Sequence, residues 1–398
     1  MSEAIYITGA GIVSALGTGK EETWENIHSR RSGIGAVHHL STLHTEFPVG
    51  EVQWSNGEMA RLLGWPMERP VSRTSLMGMI AAKEAIMQAQ LHKQHGLRIA
   101  FLSGTTVGGM DQTEQYYNDY LTNDTRNAYI HTHDCGTTTE MIADYFGIFS
   151  FISSISTACS SAANTLLFGA EMIRTHRADI VVAGGSECLT KLHLNGFRSL
   201  MILTTEPCSP FDAHTHGLNL GEGAAYLVLE SEDSIRRRGI TPLALFSGGA
   251  NTCDAYHQTA TSPDGRGPYE AMYGAIQQAG LTPSDIDYIN LHGTGTLNND
   301  QTEGVAIKRL FGDKVPPVSS TKSYTGHTTS ASGGIEAVIS LLAMEHNAIP
   351  VSLHFQEPME PHHIVPALEE TPPRALRHVL SNSFGFGGND TSLIFSKL

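Results

Sequence analysis

Residues 155–187 read ISTACSSAANTLLFGAEMIRTHRADIVVAGGSE. An apolar run stops at Cys159, small residues and alanines then open a helical pattern, and ADIVVAGGSE (178–187) returns as a second apolar run. The switch of hydrophobic period predicts strand, crossover helix, strand. Cys159 falls on the turn into the helix. A thiol at that place faces unpaired N–H groups and the positive end of the helix dipole, which favours thiolate over thiol. Taken alone, the stretch fits a buried packing cysteine equally well.

The same alternation continues outward. IYITGAGIV (5–13), RIAFLSGTTVG (98–108), AYLVLES (225–231), LALFSGG (243–249), IDYINLHGTG (286–295) and HVLSNSFGFGG (378–388) read as short strands running into glycine-rich loops. RTSLMGMIAAKEAIMQAQ (73–90), GPYEAMYGAIQQAG (267–280) and GGIEAVISLLAMEHNA (333–348) read as helices. This predicts an α/β protein. STACSSAA (156–163) and YTGHTTSASGG (324–334) each open a helix, and a strand follows each. The chain therefore reads as two βα halves of one design, 1–240 and 241–398, with the seam near RRRGITPLALF (236–246).

With 398 residues, 40% of them hydrophobic, the chain can bury a large core. Its net charge of −15 repels nucleic acid and anionic membranes, so neither is expected as a partner. Cys135, Cys159, Cys188, Cys208 and Cys253 are odd in number and scattered, which predicts neither a disulfide framework nor a zinc knuckle and fits a reducing cytoplasm. No signal peptide and no membrane-spanning run is read. The histidines at 131, 133, 214, 216, 362 and 363 lack metal-site spacing and are expected at the surface. TGAGIVSALG (8–17) has Gly9 and Gly11 but Ser14 where a dinucleotide fingerprint needs its third glycine, so it is read as a structural loop.

Chemistry concentrates in three places. Besides Cys159 there are NLHGTGTLNNDQTE (290–303), with His292, and TKSYTGHTTSASGG (321–334), with Lys322 and His327. Both histidines sit in loops of small residues, where packing asks little of an imidazole. Together with a helix-capped cysteine they predict a Cys-His-His site.

On these residues the chain resembles, over essentially its whole length, the elongating β-ketoacyl-acyl-carrier-protein synthases of the thiolase superfamily. The matching motifs are TACSSA around Cys159, PFDAHTHGLNLGEGAA (210–225), HGTGT with His292, KSYTGH with Lys322 and His327, and NSFGFGG ending at Gly388. The resemblance implies a thiolase-like fold, layered α-β-α-β-α, and a decarboxylative Claisen condensation. Cys159 would carry the acyl group, and the N–H groups of Cys159 and Phe386 would form the oxyanion hole, with the Phe386 ring gating the pocket. His292 and His327 would stabilise the malonyl-derived enolate, and Lys322 and Glu303 would form a supporting ion pair. Thr294 and Thr296 would hold the pantetheine arm, and Val107, Leu218 and Phe384 would line the substrate pocket. The resemblance further implies an acyl carrier protein as partner, with Arg61, Arg69 and Arg73 as the candidate docking patch. It implies a homodimer or a heterodimer with a related subunit, and no metal or cofactor beyond the carrier's phosphopantetheine.

Two departures bear on substrate choice. GFGGTN of the family reads GFGGND here, through Asn389 and Asp390, and Leu218 stands where the family often has Phe. These point towards a polyketide or aryl-polyene pathway. The competing functions are a thiolase, which would present a second cysteine where this chain has GFGG, and a non-catalytic chain-length-setting partner, which would lack the nucleophile.

Overall fold

The computed structural model describes residues 4–91, 96–123 and 127–398. One set of strands comes from the first part of the chain: β1 (Ile5–Ser14), β2 (Ile99–Gly104), β3 (Phe151–Ile155), β4 (Ile180–Glu187) and β5 (Gly223–Ser231). A second set follows: β6 (Ala244–Cys253), β7 (Tyr288–Asn290), β8 (Val318–Ser319), β9 (His378–Gly385) and β10 (Asn389–Ser396). In space the first set runs β1-β5-β4-β2-β3 and the second β6-β10-β9-β7-β8. Strand senses agree as well. β2 is parallel to β3 and β4, while β4 and β1 are antiparallel to β5. Likewise β7 is parallel to β8 and β9, while β9 and β6 are antiparallel to β10. The repeat read from the sequence is thus a repeat of topology, and a short antiparallel contact, Tyr6↔Leu245 and Ile7↔Ala244, joins the sets.

The helices complete the layers. α1 (Arg73–Gln88) and α2 (Cys135–Phe146) cover one outer face, and α3 (Ser161–Arg174) follows the Cys159 turn. The short α4 (Lys191–Ser199) comes next, and α5 (Arg266–Gln278) and α6 (Leu297–Phe311) cover the other outer face. After a single turn, α7 (Lys322–Thr325), comes α8 (Ser332–His346), which packs with α3 between the two sets of strands. This is the α-β-α-β-α order. α8 is buried from Ser332 to Met344, as a helix walled by sheet on both sides must be.

That central position explains the small residues. A Cβ on Gly333 would stand 2.8 Å from the Ala163 Cβ, and one on Gly185 would stand 2.9 Å from the Ala162 Cβ. The two buried helices can approach each other and the sheet only through Ala, Ser and Gly. GAG at 9–11 has a similar origin, but it lies within β1 and not in a loop: a Cβ on Gly9 would meet the Ala85 carbonyl at 2.1 Å, and one on Gly11 the Ala81 carbonyl at 2.1 Å. The glycines seat α1 on the strand. Among the paired histidines, His362 is buried beside Phe211, with ring centroids 5.2 Å apart, contrary to the surface expectation. Among the described residues no helix is long and apolar enough to cross a membrane.

Candidate active site

Cys159 ends the turn between β3 and α3, and the preceding Ala158 is held at φ 52, a left-handed conformation unusual for a residue with a side chain. The turn is fixed by hydrogen bonds. Ser161 Oγ accepts from Thr157 N at 2.9 Å and donates to the Ala158 carbonyl at 2.7 Å. Ser160 Oγ and Asn164 Nδ2 both donate to Asn389 Oδ1, at 2.7 and 2.8 Å. Asn389 therefore ties the cysteine turn of the first half to the GFGG loop of the second. Gly385 allows a close approach at that junction: a Cβ there would lie 3.0 Å from the Thr157 carbonyl and 3.3 Å from Cys159 N, tighter than ordinary contact.

His327 follows α7 and brings Nε2 to 3.2 Å from Cys159 Sγ, while its Nδ1 lies 3.1 Å from Ser332 Oγ. His292, after β7, stands at right angles to it, ring centroids 5.4 Å apart. Glu303 of α6 accepts from His292 N at 2.9 Å and Gly293 N at 2.8 Å, and Asn382 donates to it at 2.9 Å. Lys322 Nζ is 3.3 Å from His292 Nδ1 and donates to the His292 carbonyl and to Glu336. An ammonium only donates, so Nδ1 of His292 accepts and the ring proton sits on Nε2, facing the cavity.

Burial dominates the electrostatics. It pushes the Cys159 thiol up to about 11, against the Lys322 charge and the Phe386 N–H, which favour the thiolate. It holds His292 well below the usual imidazole range, and Lys322 and then His327 add to the effect. His327 is lowered in the same way, by burial first and Lys322 next. Burial thus favours the neutral thiol and the neutral imidazoles, with Lys322 and the Phe386 N–H acting in the opposite direction on the thiol. The ligand-type atoms of Cys159, His292 and His327 lie within 4.8 Å of one another. Lys322 beside His292, with the proton on Nε2, makes this a set of hydrogen-bond donors rather than a cation cage.

A cavity of about 540 Å³ is lined in part by Cys159, His292 and His327. Thr294 and Thr296 line it with their hydroxyls 2.9 Å apart, and Leu218, Phe384 and Phe386 form part of its wall. Phe386 stacks on Phe197 at 5.7 Å, and Phe384 lies 5.8 Å from His292. Val107 is not in this wall; it is buried, with its N–H directed at Glu187.

Two further expectations are corrected. Lys322 pairs with Glu336 of α8 and not with Glu303, whose carboxylate is occupied by the His292 loop. Arg73 is buried, and its guanidinium is locked to Glu222, with a 2.6 Å contact, so it cannot meet a docking partner. Arg61 and Arg69 are exposed, Arg69 lying over the Trp65 ring at 4.3 Å. Sequence reading missed Glu336 and Phe197. A lone carboxylate in the apolar run GGIEAVISLL was a usable signal for Glu336; Phe197 had none.

Residues 2–234 match the family model for the N-terminal domain of beta-ketoacyl synthase, and residues 243–356 the model for its C-terminal domain. The chain belongs to the β-ketoacyl synthase family. It is 33% identical to nodulation protein E of Rhizobium meliloti (strain 1021) along the whole of both chains. With 3-oxoacyl-acyl-carrier-protein synthase 2 of Staphylococcus aureus (strain COL) it shares 32% identity over 100% of this chain and 99% of that one. Among solved structures, the ishigamide ketosynthase/chain length factor superposes with a TM-score of 0.92 at 29% identity, covering all of both chains. The ketosynthase ApeO in complex with its chain length factor ApeC from Xenorhabdus doucetiae gives 0.86 at 30%, over 100% of this chain and 98% of that one. As a β-ketoacyl synthase the protein is a condensing acyltransferase with a thiolase-like fold.

Proposed function

We propose that Cys159 holds an acyl group as a thioester and that malonyl on an acyl carrier protein condenses with it, with loss of carbon dioxide. The carrying observation is the 3.2 Å contact of Cys159 Sγ with His327 Nε2, both of which line the cavity. In the first half-reaction the thiol proton passes to His327 as sulfur attacks the incoming thioester, and it leaves on the departing pantetheine thiol. The oxyanion is held by the N–H groups of Cys159 and Phe386. In the second, the thioester oxygen of malonyl-pantetheine accepts from Nε2–H of His292 and of His327. The Ser332 hydroxyl, 3.1 Å from Nδ1 of His327, accepts from Nδ1–H in the first half-reaction and donates to Nδ1 in the second, the ring proton moving to Nε2 by exchange with solvent between the two. Decarboxylation yields an enolate whose carbon attacks the acyl-Cys159 carbonyl, expelling Cys159 as a thiolate that takes up a proton from solvent. Lys322 and Glu303 act as positioning residues: one fixes the His292 tautomer, the other its backbone. Thr294 and Thr296 hold the pantetheine arm.

In this reading the halves 1–240 and 241–398 contribute cysteine and histidines respectively, phosphopantetheine arrives on the carrier, and neither metal nor further cofactor takes part. The protein works in the cytoplasm, in fatty acid or polyketide-type elongation. Similarity to ketosynthase and chain length factor pairs, and to a ketosynthase structure in complex with its acyl-carrier protein, supports a carrier partner and a dimer. β3 ends the strand order with Phe151 45% and Ile152 37% exposed, which offers an edge for a second subunit. Intact-protein mass spectrometry with a panel of acyl-carrier proteins tests the proposal: the adduct should form on the wild-type protein and not on Cys159→Ala, and added malonyl-carrier protein should discharge it as a β-ketoacyl product. An adduct on Cys159→Ala, or none on the wild type, overturns it.

A further inference from the structure

The lining of the Cys159 cavity passes from buried to exposed residues. Cys159, His292 and His327 are buried, whereas Leu297 is 57% and Met201 88% exposed. A thioester that reaches Cys159 therefore enters past Met201 and Leu297. On malonyl-phosphopantetheine the carboxylate travels at the buried end of the arm, and the phosphodiester that joins the arm to its carrier stays at the exposed end. The protein's net charge of −15 opposes the approach of both anions. The lining contains no Lys, Arg, Asp or Glu, and apart from the two buried histidines only one of its side chains can carry a positive charge, His216.

His216 is exposed. His214, two residues earlier, faces Glu357 at 3.1 Å, but among the described residues no carboxylate pairs with His216. Its backbone is stitched to the loop that carries Thr294 and Thr296. The Thr215 hydroxyl donates to the Gly295 carbonyl, and Thr215 N donates to the Asp212 carbonyl at 3.1 Å. A Cβ on Gly295 would stand 2.8 Å from the Gly217 carbonyl. Residues 215–217 thus pack directly on the loop to which the pantetheine arm is assigned, and His216 is the exposed member of that contact. An imidazole offers an N–H to a phosphate oxygen in either protonation state, and as imidazolium it adds charge to the bond. The other polar side chains of the exposed lining, Asn298 among them, donate without charge.

Resting on the condensing reading above, we infer that His216 is a substrate-binding residue that holds the phosphodiester of the incoming phosphopantetheine arm at the mouth of the cavity. The test uses two malonyl thioesters that differ only at the far end of the arm, malonyl-pantetheine and the methyl phosphodiester of malonyl-phosphopantetheine. Each is titrated against protein already acylated on Cys159, with carbon dioxide release as the readout. The ratio of the two KM values is taken within each variant, so that a loss of stability or turnover common to both thioesters cancels. In the wild type KM should be about three- to tenfold lower for the phosphodiester, the worth of one exposed hydrogen bond. His216→Ala should bring the ratio to one, or reverse it as the net negative charge repels the anion, and His216→Lys, which keeps a cationic donor, should retain most of it. A wild-type ratio of one, or an unchanged ratio in His216→Ala, overturns the inference and leaves the condensing reading standing. No carbon dioxide release by the acylated wild type from either thioester or from malonyl-carrier protein overturns both.

Discussion

Nε2 of His327 lies 3.2 Å from the sulfur of Cys159, and the two groups sit 168 residues apart in sequence. Because burial lifts the thiol to about 11, attack on a thioester near neutral pH depends on moving its proton to that nitrogen. His327→Ala should therefore slow acyl loading by about 10²-fold or more. The residual rate should climb with pH towards the thiol value, while the wild-type rate stays flatter between pH 6 and 8. Loading curves by mass spectrometry decide the matter; equal pH slopes in the two proteins would exclude a proton-accepting role.

Lys322 and Glu336 form a buried pair. Glu336→Gln leaves the ammonium without its counter-charge and should cost about 3–5 kcal/mol of stability, read as a fall in urea midpoint at constant slope. Lys322→Ala should impair malonyl decarboxylation more than acyl loading, because the lysine fixes His292 and does not touch Cys159. Equal losses in both half-reactions would contradict that division.

Arg73 and Arg69 should respond differently to substitution. Arg73→Glu places two carboxylates together in the core beside Glu222 and should prevent folding or lower stability by several kcal/mol, on the order of the cost of breaking a buried pair. Arg69→Glu, exposed, should leave stability unchanged. If Arg61 and Arg69 contribute to docking, it should raise KM for carrier-borne substrate without affecting small acyl-pantetheine thioesters. Parallel KM changes on both substrate types would remove Arg69 from the docking surface.

Asp390 is buried, and both of its carboxylate oxygens lack hydrogen-bond partners among the described residues. Burial, with Asp254 and Glu303 nearby, lifts it from the usual carboxylate range to about 8. The folded chain keeps a proton there that the unfolded chain releases near pH 4, so this group makes stability fall as pH rises from about 4 to about 8 and adds no slope above that. Asp390→Asn keeps the shape and abolishes the titration. The variant's melting temperature should exceed that of the wild type by a margin that grows between pH 5 and 8. A constant margin would show that Asp390 is already ionised.

Much of the fold could be read from one dimension. The alternation of strands and helices and the echo between STACSSAA and YTGHTTSASGG are local patterns, and they anticipate a doubled α/β unit because hydrophobic period follows the element that buries it. The cysteine and both histidines are legible for a related reason: each stands in a run of Gly, Ser and Thr, which is what close backbone approach around a reactive side chain demands.

What the sequence by itself determined, then, is the kind of fold and which residue types stand at the candidate site. Only the tertiary structure decided their partners and their charge states. Lys322 finds Glu336 rather than Glu303 because α8 runs between the two sets of strands and presents the buried Glu336 there, while Glu303 is taken by the backbone of the His292 loop. Arg73 looks like a surface cation in its own neighbourhood, yet its partner Glu222 is 149 residues away. Burial raises the Cys159 thiol to about 11, an effect of solvent exclusion by both halves of the chain that the local helix end in the sequence does not reveal. Pairing and desolvation are properties of three-dimensional neighbours, and no local pattern of residue types encodes them.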